Sequence, residues 1–317
     1  MVAIWMTAVA LAGATPADAT GVEMVVQGPS GRLAGTFIGT SDPAAPVVII
    51  PGSGPTDRDG NGPLGLKGAP YRMLAEGLAA RGVPSVRIDK RGMFASAAAA
   101  ADANAVTIAD YAADVRSWID AARQRTGARC AWLLGHSEGG LVALVAAQAP
   151  EGVCGVILVS APGRRLSDVM REQLRANPAN APLLDQALAA IDALESGKHV
   201  DPSGLHPALT PLFAPAVQGF VISLFSYDPA ELAAKVSKPI LIVQGQRDLQ
   251  VGETDARRMA AANPRATLVL LPDVNHVLKS VPAGDTAANL AAYGDPALPI
   301  APGAVEAIAG FISAQKK

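Results

Sequence analysis

The sequence predicts an α/β fold, with a mostly parallel sheet, helices on both of its faces, and a helical lid inserted between two strands. Three observations lead to this prediction. Short apolar runs alternate with amphipathic helical stretches along most of the chain, a pattern typical of strand–helix–strand units. Hydrophobic residues make up 50% of the 317 residues and charged residues 17%, which is ample material for one large core. The alternation is interrupted once, over residues 163–230.

The first half of the chain begins with a hairpin and continues in strand–helix units. Two runs flank the turn-like "PSGR" and predict antiparallel strands within residues 22–39. "APVVIIPG" is apolar throughout and predicts a buried strand of a parallel sheet. The same reasoning gives helix "YRMLAEGLAARG", strand "VPSVRID", helix "TIADYAADVRSWIDAARQRTG", strand "CAWLLGH", helix "SEGGLVALVAAQAP" and strand "VCGVILVS".

The interruption has no convincing strand pattern. It carries helical patches such as "LSDVMREQL" and a Pro-rich stretch. We therefore expect residues 163–230 to form a helical lid, inserted into a core made of residues 20–162 and 231–317. The core resumes with strand "KPILIVQGQRD", helix "TDARRMAAAN", strand "ATLVLLPDVNH" and the terminal helix "AVEAIAGFISAQ".

The N-terminal segment has features of a signal peptide. Residues 1–19 are apolar and then small, and they end in the A-x-A pattern Ala17-Asp18-Ala19. The apolar part is too short to span a bilayer. No Lys or Arg precedes it, so a packed or disordered N-terminal arm is the alternative. A signal peptide would send the protein to the periplasm or outside the cell, whereas an arm would leave it in the cytoplasm.

Charge and composition exclude several classes of partner. The net charge is −2 and both signs are spread along the chain, so no basic patch favours nucleic acid or an anionic membrane surface. The two cysteines and four histidines show no metal-ligand spacing. We expect a small-molecule substrate, no cofactor, no metal and no stable membrane insertion, and the oligomeric state stays open.

Three chemically suited residues each follow a different predicted strand. Ser137 lies between glycines in "GHSEG", Asp248 follows "KPILIVQGQR", and His276 follows "ATLVLLPDVN". The carboxyl ends of parallel strands form the usual ligand site of such a sheet, so these side chains should meet there. A serine hydroxyl needs a histidine to take its proton, and a carboxylate orients the imidazole. The sequence therefore predicts a catalytic triad, with Ser137 on a nucleophile elbow.

Other residues compete for two of these roles. Asp273 also lies near a strand end, but it is three residues before His276 on the same loop, and an orienting carboxylate normally reaches in from a different strand. His136 precedes the serine and should point away from it. His199 and His206 lie in the predicted lid.

The loop "PGSGPTDRDGNG" follows the first parallel strand and is a candidate oxyanion loop. We expect the backbone N–H groups of Ser53 and Glu138 to donate to the oxyanion. Gly54 is the close rival of Ser53 and is expected beside the substrate. The polar residues 56–61 either knit the loop through their own Asp–Arg pairs or contact the substrate directly.

Two aromatic residues of the predicted lid are candidates for the acyl pocket. Phe213 and Phe220 lie in its second half, where aromatic rings either line the pocket or pack the lid on the core.

The two cysteines precede neighbouring predicted strands. Cys130 and Cys154 open the strands before and after the helix that follows Ser137, so their sulfurs should lie side by side. They could bridge in an oxidising compartment, and two buried free thiols are the alternative.

The chain resembles bacterial α/β-hydrolase carboxylesterases that carry a "GSGPTDRDGN" oxyanion loop. It has that string intact at residues 52–61, and the similarity extends over roughly residues 22–315. Further shared motifs are "RIDKRG", "GHSEGG", "LFAPAVQGFVISLFSYDPA", "ILIVQGQRDLQV" and "NHVLK". The resemblance implies an α/β-hydrolase fold and serine esterase activity on short-chain acyl esters, with Ser137, Asp248 and His276 as the triad.

These observations favour a serine carboxylesterase that forms an acyl-enzyme on Ser137. A peptidase, thioesterase or lactonase could use the same triad. A catalytically silent binding protein with this fold is the alternative from another class, although the intact Ser, Asp and His argue against it.

Overall fold

An eight-stranded sheet forms the centre of the structure, a computed structural model that describes residues 21–39, 44–63 and 65–315. The predicted signal peptide, residues 1–19, lies outside the described residues. The strand order is β1-β2-β4-β3-β5-β6-β7-β8. The strands are β1 Val22–Gly28, β2 Gly31–Ile38, β3 Val47–Ile50, β4 Ser85–Ile88, β5 Ala131–His136, β6 Val153–Val159, β7 Ile240–Gly245 and β8 Thr267–Leu271.

The sheet is mostly parallel, as the alternation predicts. β1 pairs with β2 and β2 with β4 in antiparallel register, whereas every pairing from β4 to β8 is parallel. All residues of β3, β4, β5 and β7 are buried. This burial on both faces explains why β3, β5 and β7 are largely apolar runs rather than alternating ones. β4 differs, since it buries the polar Ser85 and Arg87 between its apolar residues.

Helices connect the strands, and none of them, within the described residues, combines the length and apolar character needed to cross a membrane. The helices are α1 Pro70–Ala79, α2 Ile108–Thr126, α3 Glu138–Ala146, α4 Leu166–Ala176, α5 Leu184–Glu195, α6 Pro215–Phe225, α7 Pro229–Lys235, α8 Glu253–Ala262, α9 Thr286–Ala291 and α10 Pro302–Ala314.

Local sequence signals define the ends of the long helix α2. The Thr107 side chain accepts from the backbone N–H of Asp110, whose own side chain accepts from the backbone N–H of Thr107, so the two form a capping box. Gly127 ends the helix with φ 71°, a left-handed conformation that glycine adopts without steric cost.

Two hydrophobic clusters cover the two faces of the sheet. One joins the sheet to α2, α3 and α8, with Trp118 fully buried in it. The other joins the sheet to α1 and α10, where Leu74 and Ile308 are fully buried. Burying one side chain of this size contributes about 2 kcal/mol to the free energy of unfolding. The two clusters together therefore fix the sheet, and with it the positions of the strand ends.

The chain between β6 and β7 forms α4 to α7, and helices are its regular elements within the described residues. Its apolar side chains, among them Ile191, Phe213 and Phe225, belong to the same cluster as the sheet. The segment predicted as a lid thus packs continuously on the core. That it acts as a lid stays a prediction.

A disulfide joins Cys130 and Cys154, with a Cα–Cα distance of 5.1 Å. Cys130 immediately precedes β5 and Cys154 is the second residue of the neighbouring β6. The bridge therefore lies at the amino ends of the strands, and the prediction that the two sulfurs are neighbours is confirmed.

We expect the disulfide to stabilise the fold by about 3 kcal/mol, because it closes a loop of 24 residues in the unfolded chain. Reduction should lower the Tm measured by thermal unfolding. The variant Cys130→Ala/Cys154→Ala should have the same lowered Tm with and without reductant, and it serves as the control. A wild-type Tm that does not respond to complete reduction would contradict this expectation.

Candidate active site

A small pocket opens at the carboxyl ends of the parallel strands. Its volume is about 110 Å³, and residues that follow β3, β5, β7 and β8 contribute to its wall. The lining residues are Gly52, Ser53, Thr56, Gly60, Leu66, Pro70, Tyr71, His136, Ser137, Gln250, His276, Val277 and Tyr293.

Ser137 occupies a sharp turn between β5 and α3. Its backbone has φ 54° and ψ −124°, a strained conformation for a residue with a side chain. Such a turn lifts the hydroxyl above the sheet edge, and Ser137 is half-buried.

The glycines on either side of Ser137 are required by packing. A Cβ on Gly135 would lie 2.1 Å from the carbonyl oxygen of Gly139, and a Cβ on Gly139 would lie 2.4 Å from that of Ile50. Strand and helix therefore approach so closely that only glycine fits at both positions.

His276 and Asp248 are joined by a hydrogen bond of 2.8 Å between Nδ1 and Oδ2. The Asp248 side chain is fully buried and its other oxygen accepts from the backbone N–H groups of Gln250 and Val251. Asp273, the alternative carboxylate, has a side chain that is 71% exposed and faces Arg247 at 3.9 Å. The structure thus brings Asp248, and not Asp273, beside the imidazole.

The environment of Asp248 favours its charged form. Burial by itself would raise the pKa of this carboxyl, but the nearby His276 ring and the hydrogen bonds that the carboxylate accepts outweigh burial and hold the pKa below its usual range. An ionised Asp248 accepts the Nδ1 proton of His276, which leaves Nε2 free to take a proton.

Ser137 and His276 meet as neighbouring walls of the pocket. Among the described residues, no hydrogen bond joins the Ser137 hydroxyl to the His276 ring. Such bonds are commonly long or poorly aligned without substrate. The arrangement can transfer a proton from the hydroxyl to the ring once the two close up.

A buried chain of hydrogen bonds connects the loop after β3 to the loop after β8, through Tyr71 of α1 and His136 of β5. The backbone N–H of Gly52 donates to the Tyr71 hydroxyl at 3.1 Å, Tyr71 bonds Nδ1 of His136 at 2.8 Å, and Nε2 of His136 bonds the carbonyl oxygen of His276 at 2.8 Å. His136 is one of the residues that line the pocket, and its ring supports the backbone of His276. Sequence reasoning missed Tyr71, because nothing in a helical run marks one tyrosine as a partner of a distant strand.

The direction of this chain follows from its last bond. A carbonyl can only accept, so Nε2 of His136 is the donor, and Nδ1 of the neutral ring accepts from Tyr71. Burial, and then the nearby His276 ring, lower the pKa of His136 to about 3, which keeps the ring neutral. Burial also raises the pKa of the Tyr71 phenol above its usual value, so its proton stays in place.

The loop after β3 brings Ser53 to the pocket and leaves Gly54 outside the lining residues. Gly54 has φ 67° and open space around its Cα, so its role is to turn the chain. The N–H of Gly52 is already bonded to Tyr71. Ser53 and Glu138, the first residue of α3, are therefore the better candidates for free backbone donors.

The polar residues of this loop are tied partly to one another and partly to β4 and its exit. The Asp57 carboxylate accepts from the backbone N–H groups of Asp59 and Asn61, at 2.9 and 2.8 Å. Arg58 donates from Nε and Nη2 to Oδ2 of the buried Asp89, at 3.0 and 2.7 Å. Asp59 forms an ion pair of 3.1 Å with the buried Arg87. The ion-pair partners of Arg58 and Asp59 are thus Asp89, directly after β4, and Arg87 of β4, rather than residues of the loop. Direct contact of the loop's polar residues with a substrate stays a prediction.

The structure does not bring the two lid phenylalanines to the pocket. Phe213 is completely buried in the hydrophobic cluster that contains α2 and α3. The Phe220 ring packs edge-on against the Tyr111 ring, with 6.1 Å between the ring centres. Neither lines the pocket around Ser137. His199 and His206 are exposed on the same insertion. Hydrophobic periodicity predicts which residues of a helix are buried, but not which neighbouring element they pack against.

Within the described part of the chain, no group of three His, Cys, Asp or Glu side chains is arranged to hold a metal ion.

We expect His136 to make stability depend on acid pH. Its pKa of about 3 in the folded protein lies below the ordinary value of 6.5, so its stabilising contribution is complete above about pH 6.5 and is lost as the pH falls towards 3. The free energy of unfolding should therefore fall by up to about 1.4 kcal/mol per pH unit from this residue alone. His136→Gln, which keeps a donor and an acceptor but does not titrate, should show a shallower dependence in urea unfolding between about pH 4 and pH 7.

The exposed His206 provides the control, since His206→Gln should retain the wild-type dependence. Parallel curves for the wild type and His136→Gln would show that His136 is not held neutral by the fold.

Comparison with known proteins gives similarity at two levels. Esterase EstD of Thermotoga maritima is 26% identical over 263 residues, which is 81% of this chain; the chain spans 60% of the length of that relative. Est1E from Butyrivibrio proteoclasticus superposes with a TM-score of 0.57 at 17% identity, covering 93% of this chain and 99% of that one. A thermophilic esterase from Thermogutta terrifontis gives a TM-score of 0.52 at 21% identity, covering 81% and 92%. At these identities the two structures show the fold alone.

The family assignment comes from the sequence. A family model described as "Alpha/beta hydrolase family" matches residues 47–292, which extends from β3 through α9 and includes every strand of the parallel part of the sheet. The chain therefore belongs to the alpha/beta hydrolase family.

Proposed function

We propose that the protein is a serine carboxylesterase that hydrolyses short-chain acyl esters through an acyl-enzyme on Ser137. The observation that carries the proposal is the His276 ring, hydrogen-bonded to the buried Asp248, in the wall of a pocket that it shares with Ser137 on its strained turn. A histidine that is already oriented by a carboxylate is what a serine hydroxyl needs in order to become a nucleophile. The similarity to Esterase EstD supports the choice of ester over other acyl substrates.

The first half of the reaction transfers the acyl group. The Ser137 Oγ attacks the ester carbonyl carbon while Nε2 of His276 takes the hydroxyl proton. Asp248 stabilises the imidazolium through the Nδ1 bond. The tetrahedral intermediate then expels the alcohol, which receives that proton from His276, and the acyl group remains on Ser137.

The second half releases the acid. A water molecule gives a proton to Nε2 of His276 and attacks the acyl carbon. The intermediate collapses, the bond to Ser137 Oγ breaks, and the proton returns to that oxygen. In both halves the negative oxygen receives hydrogen bonds from the backbone N–H groups of Ser53 and Glu138.

The preference for short acyl groups is supported by the size of the pocket. Its volume of about 110 Å³ is well below the roughly 300 Å³ or more typical of sites for drug-sized ligands. Because Phe213 and Phe220 lie outside its wall, acyl-length selection in this proposal rests on the residues that line the pocket.

We also propose that the protein is exported, so that the Cys130–Cys154 bridge forms in an oxidising compartment. Mass spectrometry of protein recovered from the periplasm and alkylated without reductant tests this. Absence of the protein from the periplasmic fraction would contradict export, and two alkylated cysteines in folded protein recovered there would contradict the disulfide.

We expect Ser137→Ala, His276→Ala and Asp248→Asn each to lower kcat for p-nitrophenyl acetate or butyrate by about 10⁴-fold, with the fold intact. Asp248→Asn acts by stabilising the wrong tautomer of His276. The measurement is steady-state hydrolysis over p-nitrophenyl esters of increasing chain length, with aminoacyl amides and thioesters alongside.

Asp273→Asn is the matched control, since this exposed carboxylate lies on the His276 loop and does not touch the ring. It should retain wild-type kcat. A wild-type protein that turns over amides or thioesters and not esters would replace the esterase assignment by a peptidase or thioesterase, and inactivity on all three would favour a binding protein.

A further inference from the structure

Lys90 is a buried lysine whose ammonium group contacts the two loops assigned to the oxyanion site. It follows β4, and its side chain is 2% exposed. In the sheet, β4 is next to β3, and β3 is next to β5. The Lys90 side chain therefore reaches across the end of β3 towards the end of β5, which is a span of about 10 Å between strand axes.

The ammonium group contacts both loops that carry the proposed oxyanion donors. Nζ of Lys90 donates to the carbonyl oxygen of Gly52 at 2.7 Å and to Oε1 of Glu138 at 3.1 Å. The Glu138 side chain is also 2% exposed. Nζ lies 5.1 Å from the centre of the Tyr111 ring, which adds a favourable cation–π contact.

The bond to Gly52 orients the next peptide N–H. The described residues contain no cis peptide bond, and in a trans peptide the C=O and the following N–H point in opposite directions. Holding the Gly52 carbonyl towards Lys90 therefore turns the Ser53 N–H away from Lys90. The Tyr71 bond to the Gly52 N–H fixes the same residue from its other side, so the peptide cannot rotate freely.

The bond to Glu138 acts on the second donor. Glu138 is the first residue of α3 and directly follows Ser137. Its carboxylate is buried, and Lys90 supplies the opposite charge that a buried carboxylate requires. One ammonium group thus restrains both residues whose N–H groups would stabilise the oxyanion.

We propose that Lys90 is a positioning residue that holds the Ser53 and Glu138 N–H groups in the geometry required for the oxyanion, and this rests on the proposed esterase function. Lys90 does not touch the substrate in this proposal. It acts through the Gly52 peptide and the Glu138 side chain, and a neutral residue of similar length cannot replace both bonds.

Substitution by Met tests the proposal, because Met keeps the apolar stem and removes the ammonium group. Lys90→Met should lower kcat for p-nitrophenyl esters by about 100-fold, which is the usual effect of losing one oxyanion donor. KM should change by less than about threefold, since the donors act mainly on the transition state.

A double variant separates positioning from stability. In Lys90→Met/Glu138→Gln the buried carboxylate no longer lacks a counter-charge, so the Tm should recover relative to Lys90→Met. The kcat should stay low, because the Gly52 carbonyl is still without its anchor. Recovery of kcat together with Tm would overturn the proposal, and so would a Lys90→Met kcat within about threefold of wild type.

Arg91→Met provides the matched control. Arg91 is the next residue along the chain and forms an equally buried pair with Asp114, at the side of α2 and away from the pocket. It should lose stability and keep kcat per folded molecule.

Amide exchange gives a readout that does not require turnover. Measured by mass spectrometry, exchange over residues 51–62 should rise in Lys90→Met and remain at the wild-type level in Arg91→Met. Unchanged exchange in Lys90→Met would overturn the anchoring role even in a protein that hydrolyses no ester. Raised exchange in a protein without esterase activity would instead leave the anchor standing and remove the proposed function.

Discussion

The buried charges at the exit of β4 hold the loops of the site in register with the sheet. The run from Arg87 to Arg91 sends each of its charged side chains to a different partner. These pairings are Arg87 with Asp59, Asp89 with Arg58, Lys90 with Gly52 and Glu138, and Arg91 with Asp114. Removing one partner of a buried ion pair costs about 3–5 kcal/mol, because the other charge stays behind. The loop after β3 has no helix or strand of its own to define its path, so its geometry depends on the pairings of Arg87, Asp89 and Lys90. Arg91 joins the same run to α2 instead.

A second constraint acts at the strand–helix turn that carries Ser137. Close packing against the carbonyls of Gly139 and Ile50 excludes any side chain at Gly135 and Gly139. The turn is therefore rigid, and its strained residue is held by the surrounding backbone rather than by its own preference. The close glycine packing and the buried charges in and after β4 therefore hold the site in place from the sheet side. The pocket residues need few contacts with one another to keep this geometry.

The sequence predicts the architecture well because the relevant signals are local. Hydrophobic periodicity and turn residues identify the hairpin, the buried strands and the long helix α2, and the order of Ser137, Asp248 and His276 after three strands places them at one edge. The sequence also predicts Asp248 rather than Asp273 as the partner of His276, because this choice depends only on which strand each residue follows. The same topology predicts that the sulfurs of Cys130 and Cys154 are neighbours, whereas the bridge itself is seen only in the structure.

What the sequence does not reveal is pairing between distant polar residues. Arg58 and Asp89 are far apart along the chain, and so are Tyr71 and His136; no periodicity links them. For the same reason the sequence leaves open whether the Asp and Arg side chains of the loop pair with one another or contact the substrate. The ion-pair partners of Arg58 and Asp59 are Asp89, directly after β4, and Arg87 of β4. Phe213 is a similar case, because an aromatic residue in a helical insertion can pack on either side, and burial decides between them only in three dimensions.

The nucleophilic character of Ser137 is tested most directly by covalent labelling with a fluorophosphonate probe, followed by peptide mapping by mass spectrometry. We predict one adduct per chain, on Ser137. It should be absent from Ser137→Ala and form far more slowly in His276→Ala, since His276 no longer takes the hydroxyl proton. A folded, esterase-active protein that is not labelled, or is labelled at another residue, would contradict the assignment of Ser137 as the nucleophile.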